Sequence, residues 1–266
     1  MNKLFDMTGK VALVTGGAGL LGKKHAEAII EQGGKVIIAD YNFDSAVKIA
    51  NKLGNLAHAE YINVLDKESI FRVVNKYEKI DVLINNAARD PKVKSSGDIC
   101  PDTRFETMSE HFWSDGIETI LRGAFLCSQI VINKMTKNGG GVILNISSDL
   151  GVISPDQRIY QKDNTLEELQ NVKPITYSVA KHGIVGMTKY LATYFAKKNI
   201  RVNCLSPGGV FVDHPEEFVS KLSNLIPMGR MAHIDEYKGA IIFLCSDASS
   251  YMTGANVIID GGRTVW

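Results

Sequence analysis

In ITYSVAKHG, Tyr177 and Lys181 stand four residues apart inside a segment of helical period, so a phenol and an ammonium share one helix face. A phenol has a reference pKa near 10, and bringing it into range for acid–base work at neutral pH is worth roughly 4 kcal/mol. A neighbouring ammonium acts in that direction because it favours the phenolate. Chemistry of another kind sits in VALVTGGAGLLGKKHA, residues 11–26. A strand that ends in a glycine-rich turn and opens a helix presents unpaired backbone N–H groups, and the positive end of a helix dipole, to a pyrophosphate. The glycines count as Gly17, Gly19 and Gly22, the general dinucleotide fingerprint, or as Gly16, Gly19 and Gly22, an even spacing that suggests a different enzyme group. About twenty residues on, KVIIAD ends in Asp40, placed to accept hydrogen bonds from the adenosine ribose of NAD and to repel the 2′-phosphate of NADP. Lys23 and Lys24 either reach a phosphate or belong to a solvated face. NAD is therefore expected over NADP.

The elements that must position these groups are legible as apolar, β-branched runs at 10–15, 35–40, 57–63, 80–85, 141–147, 200–206 and 255–261, most of them separated by helical stretches. Strand–helix alternation without a Pro/Ser-rich linker predicts one doubly wound α/β domain over 1–266, a seven-stranded parallel sheet covered by helices on both faces. Two segments exceed ordinary connection lengths, 89–107 and 149–174. Both follow carboxyl ends of strands, where such sheets bind ligands, and both are expected to cover a site.

Net charge +1 argues against broad attraction to nucleic acid or anionic membrane. No apolar run approaches the roughly 20 residues of a membrane span. The start, MNKLFDMTGKVALV, lacks the apolar core and cleavage site of a signal peptide, so a cytoplasmic protein is expected. Cys100, Cys127, Cys204 and Cys245 form no CxxC pair and the histidines are dispersed, so reduced thiols and no metal site are expected.

TGGAGLLG, NNAA (85–88), NISS (145–148), YSVAK (177–181), RVNCLSPGGV (201–210) and SSYMTGANVIIDGG (249–262) occur in the order seen in the short-chain dehydrogenases/reductases, which the chain resembles over essentially its whole length. The resemblance implies a single-domain Rossmann fold. It implies that Tyr177 is the acid/base, that Lys181 holds the nicotinamide ribose and lowers the tyrosine pKa, and that Ser148 hydrogen-bonds the substrate oxygen, with Ser147 as its rival. It places the cofactor against Gly16, Gly19, Leu20, Leu21, Gly22, Asp40, Tyr41, Asn63, Val64, Asn86, Ala87, Ala88, Tyr177, Lys181, Pro207, Gly208 and Val210, with Asn85 also along its central stretch. A hydride would pass between nicotinamide C4 and a carbinol or carbonyl carbon while Tyr177 moves the proton on oxygen.

Four departures from the family pattern stand out. Ile120 stands where a proton-relay asparagine is usual, Asn63 where an aspartate is usual, and Val212 where a threonine often contacts the carboxamide. Ser148 and Tyr177 are also unusually far apart, because of 149–174, whose Asp156, Gln157, Arg158, Tyr160 and Lys162 suit a hydroxyl-rich or anionic substrate such as a sugar derivative, or else form solvated surface. The insertion and the stretch from YSVAKHG onward also resemble bacterial oxidoreductases of flagellin-glycan and surface-sugar pathways. The even glycine spacing suggests instead a sugar-nucleotide epimerase or dehydratase, but that branch carries a substantial C-terminal domain and this chain ends four residues after IDGG. Ile120 motivates a third reading, a weakly catalytic NAD-binding sensor or scaffold. Two long apolar helices, one carrying WSDGIETILRGAFLCSQIVINKM and one following Tyr177, suggest a homotetramer, or failing that a homodimer.

Overall fold

The computed structural model describes residues 3–89 and 101–266. The chain alternates as β1 (Val11–Thr15), α1 (Gly22–Glu31), β2 (Lys35–Asp40), α2 (Phe43–Leu53), β3 (Ala57–Tyr61), α3 (Lys67–Lys76), β4 (Val82–Asn85), α4 (Glu110–Ile117), α5 (Gly123–Lys137), β5 (Gly141–Ile146), α6 (Ile175–Phe195), β6 (Ile200–Pro207), α7 (Glu216–Ser223), α8 (Lys238–Cys245) and β7 (Asn256–Ile259). All seven strands pair in parallel in the order β3-β2-β1-β4-β5-β6-β7. Alternate residues of each strand face opposite sides. Val14, Ile38, Leu144 and Leu205 meet Ala26 and Ile29 of α1 and Ile241 and Leu244 of α8. Their neighbours Leu13, Ile37, Ile143 and Val202 meet α3 and α5 through Ile70, Val74, Val131 and Met135. Each such side chain, fully buried, contributes on the order of 1.5–3 kcal/mol against exposure.

The order reverses direction between β1 and β4, which lie side by side with Thr15 opposite Asn85. Helices must leave the sheet on different faces there, so a crevice opens at the carboxyl ends. Two elements differ from expectation. The third strand stops at Tyr61, because the Asn63 side chain accepts the Leu65 N–H at 3.0 Å and turns the chain. The helix expected to run unbroken from Trp113 is divided by a π-helical turn, Glu118–Arg122, between α4 and α5. Such turns insert a residue into the ladder and often stand at functional sites.

Among the described residues no helix is long and apolar enough to cross a membrane, and no group of three His, Cys, Asp or Glu could hold a metal ion. Cys127, Cys204 and Cys245 are buried free thiols, and burial pushes Cys127 and Cys245 up to about 12 and Cys204 to about 11. Cys100 and residues 90–100 of the first long segment lie outside the described residues.

Candidate active site

Gly16 follows β1 with φ +60°, the left-handed region that glycine enters at no steric cost. A Cβ there would lie 2.8 Å from the Ala87 Cα, and one on Gly22 would strike the Gly16 carbonyl oxygen. Gly17 packs against β2, where a Cβ would lie 2.9 Å from Ile38 Cγ2. Close approach is thus demanded at Gly16, Gly17 and Gly22, so neither way of counting captures the constraint alone. Gly19 donates its N–H to the Gly16 carbonyl at 3.1 Å, and Leu20, 40% exposed, tops the turn. Asp40 reaches the same loop: its Oδ2 accepts the Ala18 N–H at 3.0 Å and its Oδ1 the Asn42 N–H at 2.9 Å. Asn86 ties in the β4 end by donating to the Thr15 and Gly16 carbonyls at 3.1 and 2.9 Å.

These groups open onto a cleft of about 1380 Å³ along the carboxyl ends of the strands. Gly16, Gly19, Leu20, Leu21, Asp40, Tyr41, Asn63, Val64, Asn86, Ala87, Ala88, Pro207, Gly208 and Val210 all line it, as do Ser148, Tyr177 and Lys181. Gly22 does not, since it lies buried beneath Gly16 and lets the first turn of α1 close under the loop. Asn85 does not either. Its amide is directed into the core, donating to Ser128 Oγ at 2.9 Å and Asn145 Oδ1 at 2.8 Å. Lys24 is engaged by Glu27 at 2.7 Å and Asp235 at 2.8 Å, and both Lys23 and Lys24 stand outside the cleft. His25, one residue on, was not singled out by the sequence. It is fully buried, and burial pushes its imidazole down to about 3, so it is neutral at physiological pH.

At the other end of the cleft, α6 brings Lys181 Nζ to 5.6 Å from the centroid of the Tyr177 ring and within 2.8 Å of the Ile146 carbonyl, to which it donates. A second ammonium, Lys173 Nζ, lies 4.4 Å from the same centroid. The two serines divide their tasks: Ser147 donates to the Lys181 carbonyl at 2.8 Å, whereas Ser148 donates to Asp149 Oδ1 at 2.7 Å. Asp149 in turn pairs with Arg263. Ile120, 2% exposed, is centred in the π turn and packs with Ala124, Ala180, Ile184 and Cys204 against Tyr177. That side of the phenol is therefore apolar, and the neighbouring Thr119 is the residue of the turn that lines the cleft.

Segment 149–174 forms part of the cleft wall through Ile159, Tyr160, Gln161, Lys162 and Lys173. Of the polar residues expected to face the site, Tyr160 and Lys162 do so. Asp156 and Arg158 satisfy each other through bonds of 2.6–3.2 Å, a geometry that spends both charges locally, and Gln157 clamps the Lys173 backbone. Tyr160, Phe218 and His214 stack along the wall with centroids 5.7 and 5.4 Å apart. Lys173, Asp149, Arg263, His214 and Phe218 escaped the sequence reading. The spacing of Lys173, Tyr177 and Lys181 at four-residue intervals was the signal available for the first.

Two family models match the chain, "short chain dehydrogenase" over residues 10–161 and "Enoyl-(Acyl carrier protein) reductase" over residues 165–264. Similar proteins include a 3-oxoacyl-(acyl-carrier-protein) reductase of Thermotoga maritima, 34% identical over 97% of this chain and 99% of its own length. A D-threitol dehydrogenase of Mycolicibacterium smegmatis is 32% identical over 98% of this chain and 95% of its own. Among solved structures, a gluconate 5-dehydrogenase from Burkholderia cenocepacia in complex with NADP and tartrate superposes with TM-score 0.85 at 25% identity, covering 99% of this chain and 98% of that one. A short chain dehydrogenase from Leptospira borgpetersenii with bound NAD+ does so with TM-score 0.83 at 30% identity, covering 99% and 96%. With the parallel sheet, the glycine loop and these matches in hand, the chain belongs to the short chain dehydrogenase family, whose members are nicotinamide-dependent oxidoreductases.

Proposed function

We propose that the protein interconverts a secondary alcohol and its ketone with NAD as cofactor, on a polyol or sugar derivative, using Tyr177, Lys181 and Ser148. One observation carries the reading: the glycine loop with Asp40, and the Tyr177–Lys181 face of α6 with Ser148, open onto a single cleft. The residues fit a dinucleotide. Gly16 and Gly22 keep side chains out of the loop where a pyrophosphate would approach, and Asp40, Tyr41, Asn63 and Val64 line the part of the cleft that would take an adenosine. A nicotinamide bound there supplies or takes the hydride at the substrate carbon. Tyr177 moves the proton: as phenolate it accepts the hydroxyl proton of the alcohol, and as phenol it returns it to the ketone oxygen. Lys181 favours the phenolate by charge, and Ser148 turns its O–H from Asp149 to the substrate oxygen. The bond from Ser147 to the Lys181 carbonyl supports Ser148 over Ser147 for that role.

Tyr177→Phe tests the assignment. Turnover, followed by reduced-nicotinamide absorbance across polyols, sugar acids and simple alcohols, should fall by about 10²–10⁴ with cofactor affinity unchanged. If the unaltered protein turns over none of them yet binds the cofactor, the second reading, a sensor or scaffold favoured by Ile120, takes its place. Exposed Phe125 of α5 and the stacked Tyr190 and Tyr194 of α6 support self-association into a homotetramer or homodimer, which light scattering reads directly.

A further inference from the structure

Pro207 ends β6 and Gly208 follows it, beside the end of β5 that leads into Ser147 and Ser148; with Val210 they line the cleft. A Pro-Gly pair marks a turn by itself. This one is also held from outside. Both backbone groups of Gly208 are bonded: its N–H donates to the Ile259 carbonyl at 2.8 Å, and its carbonyl accepts the Tyr237 hydroxyl at 2.9 Å. The turn lies so close to the end of β7 that a Cβ on Gly208 would stand 2.9 Å from the Asp260 Cα. Beyond it, the Gly209 carbonyl accepts the Ala232 N–H and the Phe211 N–H donates to the Ala232 carbonyl, each at 2.9 Å.

Tyr237 does not line the cleft. It is the N-cap residue of α8 and 1% exposed, one of the largest side chains to be fully buried. Ile241 and Leu244 pack α8 into the core beneath the sheet, so the tyrosine ring is mounted on a rigid element. A buried phenol needs a partner for its O–H, and a buried carbonyl left without one is costly. Burial, together with the charges of Asp149, Glu236 and Asp260, pushes this phenol above its usual value, so it stays a donor at physiological pH. Phenylalanine would fill the same space. What the oxygen adds is the bond to Gly208.

We propose that Tyr237 is a positioning residue for the cofactor: by fixing the Gly208 carbonyl it sets the turn at 207–210, against which the nicotinamide end of the dinucleotide is seated. The proposal rests on the dinucleotide reading of the cleft given above. The adenosine end is served by other bonds, those of Asp40 to Ala18 and Asn42 and of Asn86 to the glycine loop, none of which involves Tyr237. Loss of the hydroxyl is therefore felt by one half of the ligand.

The test compares NADH with ADP-ribose, which has the adenosine and pyrophosphate but no nicotinamide. Each is titrated by calorimetry into the unaltered protein and into Tyr237→Phe, whose near-identical volume preserves the packing. The variant should bind NADH about threefold to tenfold more weakly and ADP-ribose within about twofold of the original. The fluorescence of the bound reduced nicotinamide should move towards that of free NADH. Equal losses for both ligands, the result if the hydroxyl only supports the fold, overturn the proposal, and so does no loss for either. Amide hydrogen exchange in the unaltered protein checks the same point without a variant. Before any ligand is added, the Gly208 and Phe211 amides should already exchange slowly. Fast exchange there, slowed only by NADH, would mean that the ligand and not Tyr237 makes the turn, which also overturns the proposal. An unaltered protein that binds neither ligand refutes the dinucleotide reading itself, and that outcome is seen before any variant is made.

Discussion

Arg263 and Asp149, 114 residues apart in the chain, meet in a buried ion pair of 2.5 Å beside Ser148. Their side chains are 7% and 5% exposed, and the other Asp149 oxygen accepts the Ser148 hydroxyl. Removing one partner strands a charge away from water, which costs about 3–5 kcal/mol. Arg263→Met and Asp149→Leu should each lower the thermal midpoint by about 10 °C. The double variant should be more stable than the sum of the two losses implies. Additive losses in thermal unfolding would show that the pair is not coupled.

Gly22 and Gly239 make opposite demands. A methyl on Gly22 collides with the Gly16 carbonyl oxygen, whereas one on Gly239, exposed in the first turn of α8, meets nothing within 4 Å. Gly22→Ala should cost about 1–3 kcal/mol and weaken cofactor binding by distorting the loop. Gly239→Ala should leave binding alone and add a few tenths to about 1 kcal/mol, since alanine is the better helix former. Denaturant titration with and without cofactor separates the two.

His25 makes stability depend on pH. Its folded pKa is depressed to about 3, below the unfolded reference near 6.5, so in this window only the unfolded chain takes up the proton. The stabilising contribution is intact above pH 6.5 and is lost as pH falls towards 3, reaching about 2–3 kcal/mol at pH 4.5. His25→Gln should flatten that part of the profile whatever it does to stability at pH 7. An unchanged slope between pH 7 and 4.5 would remove His25 as the source.

Asp40 is expected to govern the choice between the two nicotinamide cofactors. Replacing its carboxylate by a neutral group removes the repulsion of a 2′-phosphate and the acceptor for the ribose hydroxyls. Asp40→Ser should weaken NAD by about tenfold and tighten NADP in direct titrations. Because Asp40 also accepts the Ala18 N–H, the variant should unfold somewhat earlier as well. A cofactor ratio that does not move would transfer the discrimination to another part of the cleft.

The parts of the molecule governed by local chemistry were legible in the sequence. The strand runs became the seven strands within about two residues, since period-two apolar patterning and the turns bounding it act over short distances. The same holds for the glycine loop and for Tyr177 and Lys181, whose spacing is helical. What the sequence hid depends on contacts across the chain. NNAA marked a turn, but whether Asn85 or Asn86 faced the cleft depended on β4 being central, which turns Asn85 towards Asn145 and Ser128. Arg263 acquires a role only when β7 returns the chain to the end of β5. Asp156 and Arg158 looked like pocket residues and proved to satisfy each other, an economy of charge that no pattern of residue types announces.

The amides under the site act as a ruler. Asn85 and Asn145 are opposite one another in the β4–β5 register, Asn85 donates to Asn145, and Asn145 donates to Thr188 of α6. Apolar contacts between a helix and a sheet change little when the helix slides by a fraction of a turn, but these directional bonds in a dry interior do not survive it. The height of α6 above the strands is thereby measured from the sheet itself, about three helical turns along from Tyr177, the residue proposed to bond a substrate oxygen. The exactness of the chemistry at the open end is set by three polar side chains that no substrate reaches.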